Sequence, residues 1–440
     1  MKRTVAARSP WLFVPTLFFQ QGVPVVIVQQ LSVILYKRLD VSNAEIGFWT
    51  SLIAWPWILK MFWSPLIERT ATCRSWVLAM QLLVTGTLVA AAFALRSRAF
   101  LPLTLAIFLL TALLSATHDV ALDGYYLLAL PRPEQAFFAG IRSTFFRLGW
   151  IFITGALVVL AGLWERTGIS VAASWRNALL VGAGVYAALM VYAAWVMPRP
   201  GADRPLPRAR EAAFGEAFRG FFGQPGIRTI VLFILLYRIA ETMITKTAAL
   251  FLLDPRRVGG LGFDTVEVGS ILGTYGIVAL VLGGLLGGFA IARFGLRACL
   301  WPMTLVIHLP NLLYVWAAWA QPGPGPMVGV VAIEQLGCGF GLSSYMVYLM
   351  YLCQASPYPT TAYAIATGLM ALGAMAGGIL SGFLQAELGY FWFLVCVCVS
   401  TVPGMILLGF LPRNFEPVAP LEGAQADPTS PLEPLSGRSR

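Results

Sequence analysis

PRPGADRPLPRAR, residues 198–210, decides the fold through what lies on either side of it. Four Pro and four Arg in so short a stretch sustain neither helix nor strand, and the composition predicts a flexible connector. Working outward, six apolar runs precede it and six follow. Each is long enough to cross a bilayer as a helix, which takes about 20 residues. The first six are 11–35, 44–67, 75–96, 101–129, 136–163 and 176–197. The second six are 227–252, 266–291, 297–320, 327–352, 360–386 and 390–411. The expectation is an all-α integral membrane protein with 12 transmembrane helices in two six-helix halves. The halves are 1–197 and 227–411, joined by a cytoplasmic linker at 198–226. A Pro-, Ser- and Glu-rich tail at 412–440 is expected to be disordered.

Composition agrees. The chain is 58% hydrophobic and only 11% charged, with a mean hydropathy of +0.76. A soluble domain carries about 25% charged residues to cover its surface. The net charge of +10 does not point to nucleic acid, because most Lys and Arg lie in short loops between apolar runs. Six Cys show no CxxC spacing and read as small buried hydrophobes. The two His, His118 and His308, are far apart, with no local Cys-His set. No metal site, cofactor or catalytic constellation is therefore expected, and the chain does not read as an enzyme. The basic start followed by an apolar run from Trp11 lacks a small-residue cleavage site, so it reads as an uncleaved first helix. Seventeen of the 30 Lys and Arg fall on the side of the N-terminus and eight on the other. That bias places both termini in the cytoplasm.

Two internal matches support a repeat. WSPLIERTATCR (63–74) follows the second run and holds Glu68 and Arg69; GGFAIARFGLR (287–297) follows the eighth and holds Arg293 and Arg297. PRPEQAFFAGIR (131–142) matches PYPTTAYAIATG (357–368), with Pro131 on Pro357 and Ala136 on Ala362. The two offsets are nearly equal. Six helices, a charged linker and six more form the pattern of facilitator transporters. Glu68, Arg69, Arg293 and Arg297 are the expected gating-loop residues.

Ionisable residues inside spans are expensive, and each is a functional candidate. Asp119 and Asp123 are four apart and share a helix face. Helices four and five turn near Pro133. Asp123 and Arg142 lie at similar distances from that turn, as do Asp119 and Arg147. Pairs Asp123–Arg142 and Asp119–Arg147 are therefore candidates. Arg142 and Arg147 diverge by about 140° around the helix, so only one faces helix four squarely. Arg238 and Glu241 are three apart and can pair locally. Lys246 has no obvious partner and Glu334 stands alone on helix ten. Lys60 sits near enough the loop to reach the headgroups, and His308 reads as structural. Five cations against four acids suit an anionic solute. Asp119, Asp123, His118, Glu241 and Glu334 are the expected proton-coupling residues. Arg142, Arg147, Arg238, Lys246, Gln20, Gln29, Tyr125 and Tyr345 are the expected substrate-binding ones.

The motifs FFQQGVPVV (18–26), KMFWSPLIER (60–69), SATHDVALDGYYLLALP (115–131), GIRSTFFRLG (140–149), LYRIAETM (236–243) and EQLGCGFGLSSYM (334–346) resemble the AmpG-type muropeptide permeases. These form part of the peptide/acetyl-coenzyme-A transporter group of the major facilitator superfamily. The resemblance implies a monomeric, proton-driven importer in the bacterial inner membrane, carrying an anhydro-muropeptide or a related amino-sugar solute. The family's charged positions match at Lys60, Glu68, Arg69, Asp119, Asp123, Arg147, Glu241 and Glu334, with Arg238 in place of a family Lys. Tyr126 and Leu128 replace a Lys and an Asp of the pattern. Siderophore permeases share much of it, an acyl-coenzyme-A carrier of the same superfamily is a further alternative, and a transport-dead membrane sensor is the reading from another class.

Overall fold

The computed structural model describes residues 9–201, 203–204, 218–354 and 359–411. Most of the expected linker and the tail at 412–440 lie outside the described residues. So do the side chains of Glu68 and Arg69.

The first half comprises α1 (Pro10–Arg38), α2 (Asn43–Leu52 and Trp55–Thr70), α3 (Cys73–Ala94), α4 (Phe100–Ala129), α5 (Arg132–Ile151, continuing to Arg166) and α6 (Val171–Val196). The second comprises α7 (Ile227–Leu236 and Ile239–Leu253), α8 (Thr265–Phe294), α9 (Leu296–Ala320) and α10 (Pro324–Gln354). The run Pro359–Gly409 breaks at Gly389, whose φ of 70° turns the chain back and divides the run into α11 and α12. Nine described runs are long and apolar enough to span a membrane. The α2 and α7 segments fall outside that measure because each is broken into two shorter helices.

Local chemistry sets the starts. The Ser42 hydroxyl accepts from Glu45 N and that of Thr72 from Ser75 N, and Asp264 forms a capping box with Glu267. In α9, Pro310 removes a backbone donor, and the helix divides after His308. The start of the linker is held rather than free. Asp203 accepts from Cys73 N at 2.7 Å and Arg74 N at 3.0 Å, which ties it to the α3 N-terminus.

Each half has the same internal neighbours. In the first, α1 packs on α5, α2 on α4, and α3 on α4 and α6; in the second, α7 packs on α11, α8 on α10, and α9 on α10 and α12. Between halves, α2 crosses α11 and α5 crosses α8. Advancing each helix of one crossing by six positions in the repeat yields the other, as a two-fold relation requires. The crossings are backbone to backbone: a Cβ at Gly273 of α8 would lie 2.1 Å from Thr154 O of α5. Wide π turns at Phe152–Leu157 and Gly269–Gly276 meet there.

Both crossings lie toward the face opposite the described chain ends, the far face. Polar bonds seal the halves there. Lys37 pairs with Asp254 at 2.5 Å, and Asn43 Nδ2 donates to Gln385 Oε1 at 2.7 Å and to the Tyr390 hydroxyl at 3.1 Å. On the other side, Thr265 donates to Glu165 at 2.7 Å and Arg166 pairs with Asp264 at 2.5 Å.

The Arg166–Asp264 pair is half exposed and worth at most about 1 kcal/mol. Partial burial works against the Asp264 charge. The Glu267 amide and the Arg166 guanidinium outweigh it and hold the carboxyl below its usual range. Its contribution is complete above the ordinary carboxylate range and is lost as pH falls through the lower value. Spin-label distances across this corner are therefore expected to lengthen only in acid. Asp264→Asn is expected to lengthen them at neutral pH.

Candidate functional site

A cavity of about 670 Å³ lies between the halves, within the roughly 300–1,000 Å³ usual for small-molecule sites. Gln30 of α1, Arg147 and Trp150 of α5, Arg238 and Glu241 of α7, and Gln335 and Cys338 of α10 supply its polar and aromatic lining. The α8 wall is apolar and opens at Gly284 and Gly288. Arg147 has no hydrogen-bond or ion-pair partner among the described residues. Its Nη2 reaches across to α8, 3.9 Å from where a Gly284 Cβ would sit. Opposite, Arg238 clamps Glu241 through two bonds, Nε to Oε2 at 2.8 Å and Nη2 to Oε1 at 3.0 Å. The Cys338 thiol donates to the same carboxylate at 3.6 Å. The cavity thus presents one neutralised pair and one uncompensated cation.

A second cluster occupies the first half. Asp119 accepts from Lys60 of α2 and Gln21 of α1, and Asp123 accepts from Arg142 Nη2 at 2.6 Å. The Arg142 guanidinium also lies over the Phe18 ring, 4.4 Å from its centroid. A smaller cavity of about 170 Å³ at the α2–α11 seam, lined by Trp57, Lys60 and Thr367, gives access to this cluster.

Several expectations need correction. Asp119 pairs with Lys60 rather than Arg147, because the five-residue offset from Arg142 turns Arg147 away from α4 and toward α8. Lys60 is accordingly spent on Asp119 and not on headgroups. Lys246 does not line the cavity. Its ammonium donates to Gln29 O at 3.0 Å and to Thr50 Oγ1 at 3.3 Å, bridging the halves. Gln29 contributes that carbonyl, and it is Gln30 that lines the cavity. Gln20 is fully buried, donating to Tyr186 O at 3.2 Å and accepting from Gln81. Tyr125 anchors the linker through Pro198 O at 3.0 Å. Tyr345 is buried, donating to Ile234 O at 3.2 Å and stacking on Tyr237. In all three, the helix face points into its own half rather than between halves. His118 faces Gln81, with Nε2 3.4 Å from Gln81 Nε2, so its ring is turned from the Asp119 partners. Glu334 is buried behind the cavity wall. Arg293 and Arg297 are exposed at the terminal face.

Trp150 is a lining residue that the sequence left unassigned, whereas all four glutamines of α1, Gln20, Gln21, Gln29 and Gln30, are sequence candidates for bonding a solute or a neighbouring helix, and Gln30 is the one that lines the cavity. Gln21 and Gln30 were visible as polar residues in an apolar span. Trp150 lies three residues after Arg147 and so shares its face.

Two like halves around a charged central cavity define a membrane transporter of small solutes. Residues 16–361 match the Major Facilitator Superfamily. The chain belongs to that superfamily and is a multi-pass secondary transporter. It is 28% identical to the anhydromuropeptide permease of Escherichia coli K12 over 398 residues, covering 89% of this chain and 77% of that one. The resemblance to the muropeptide permeases therefore extends over most of the molecule. Among solved structures, the D-xylose-proton symporter matches with a TM-score of 0.68 at 12% identity, over 91% of this chain and 96% of that one. The nucleoside transporter NupG matches with a TM-score of 0.65 at 16% identity, over 90% and 97%.

Proposed function

We propose that this chain imports an anhydro-muropeptide, or a closely related anionic amino-sugar compound, across the bacterial inner membrane by proton-driven alternating access. Arg147 carries the reading: it is a guanidinium without a partner among the described residues, and it faces a cavity between the halves. A cation inside a membrane protein is costly without a counter-charge, and a substrate carboxylate supplies one through two parallel hydrogen bonds. Trp150 and Phe146 flank it with ring faces for sugar. The identity to the anhydromuropeptide permease supports this class of solute.

Both termini are cytoplasmic on the Lys/Arg bias, so the sealed far face is periplasmic and the cavity faces inward. A monomer holds the whole pathway. Protons bind at Asp119 and Asp123 when the far face opens. Protonation releases Lys60 and Arg142, and return of the proton to the cytoplasm restores the pairs. Glu68, Arg69, Arg293 and Arg297 act at the loops that open and close the inner side.

The test is uptake of labelled GlcNAc-anhydroMurNAc-peptide into proteoliposomes. Accumulation is expected with an inward proton gradient and not without one. Folded protein that accumulates nothing under either condition rules out this solute.

A further inference from the structure

The second half contains a buried cluster of polar side chains outside the cavity lining. Glu334 of α10 is 2% exposed. It accepts from Gln335 Nε2 at 2.9 Å and has no ion-pair partner among the described residues. The Tyr314 hydroxyl of α9 lies beside it. His308, Asn311 and Tyr314 fall at three-residue intervals in α9 and are each at least 95% buried, and Asn311 and Tyr314 share one face of its second segment. Among the described residues, both ring nitrogens of His308 and Nδ2 of Asn311 are without hydrogen-bond partners. Buried polar atoms in native folds are almost all paired, and a group that is not needs a reason. The sequence reads His308 as structural.

The surrounding charges leave Glu334 uncompensated. From α7, Arg238 and Glu241 neutralise one another. α9 brings His308 and Tyr314, and α10 brings Cys338. Between residues 268 and 292, α8 has no charged side chain. On α11 and α12 the one charged residue is Glu387, near the far-face end. Cys338 lies four residues after Glu334, on the same face, and its thiol reaches Glu241 at the cavity wall. That contact joins the cavity wall to the helix face that carries Glu334. A carboxylate among neutral oxygen and nitrogen groups suits a small monovalent cation with water.

We infer that Glu334, with His308, Asn311 and Tyr314, forms a second coupling site that binds one monovalent cation, a proton or a sodium ion, entering from the cavity past Glu241 and Cys338. The coupling role rests on the proposed cation-driven transport; the binding site does not.

Infrared difference spectroscopy on the full-length protein in lipid nanodiscs tests it without any transported solute. In sodium-free buffer, a pH titration is expected to show the carbonyl stretch of a protonated carboxyl, and Glu334→Gln is expected to remove that band. Asn311→Leu, which keeps the acid, is expected to shift the band rather than abolish it, and so separates a site effect from misfolding. Loss of the band on adding sodium chloride, but not potassium chloride, assigns the sodium ion; a band indifferent to both assigns the proton. A spectrum unchanged by Glu334→Gln in folded protein overturns the site. Because no solute is present, that failure would leave the muropeptide reading standing, and failed muropeptide uptake would leave this site standing.

Discussion

Arg147→Gln is expected to lower uptake by about a hundredfold or more, the largest loss from any single cavity substitution. The guanidinium lines the cavity, and its charge is unmatched by any described residue. Losing one member of a desolvated, hydrogen-bonded charge pair costs roughly 2–5 kcal/mol, and each 1.4 kcal/mol is tenfold. Because the bond to the solute forms on binding, the loss is expected mainly as a raised KM. Arg147→Lys keeps the charge but not the planar fork that grips a carboxylate at two points, so it falls between wild type and Arg147→Gln. Fold stability is expected to hold, since no protein partner is orphaned by either change. Transport assays with the three proteins, alongside thermal unfolding, separate these effects. Full uptake by Arg147→Gln would place the solute anion elsewhere in the cavity.

What the sequence made legible follows from the range of its signals. Apolar runs and turn residues act over one helix, and twelve spans were readable from them. The π turns that bring α5 and α8 together at Gly155 and Gly273 leave no comparable mark on the pattern. Distance from a hairpin turn relates two consecutive helices, which is why Asp123 could be matched to Arg142. It is blind to α2 arriving beside α4, and so Lys60, not Arg147, meets Asp119. The direction of a side chain around its helix was the weakest inference. Tyr345 and Gln20 stand on lining helices but point into their own halves, and Tyr125 stands on α4, which supplies no lining residue, whereas Gln30 and Trp150 reach the cavity. The orphaned face of α9 was invisible, because unpaired donors exist only relative to neighbours.

The Lys60–Asp119 pair allows stability and coupling to be told apart, and the second large effect is expected there. Asp119→Asn removes the charge that a proton would neutralise. Accumulation against a gradient is expected to collapse to simple equilibration, while exchange of labelled for unlabelled solute continues. Lys60→Met alone is expected to be the least stable variant, since it leaves a largely buried carboxylate without its ammonium. Breaking a fully buried pair costs about 3–5 kcal/mol. Here the Lys60 side chain is 33% exposed, so solvent screening holds the cost toward or below the lower end of that range. Combining the two changes removes the stranded charge, and much of the lost stability is expected to return. Gradient-driven accumulation is not expected to return with it. Unfolding curves and paired uptake and exchange assays on the three variants read both quantities. Recovery of stability without recovery of accumulation assigns the pair to proton coupling. Recovery of both would make Lys60–Asp119 a structural brace and move coupling to Asp123 or the second half.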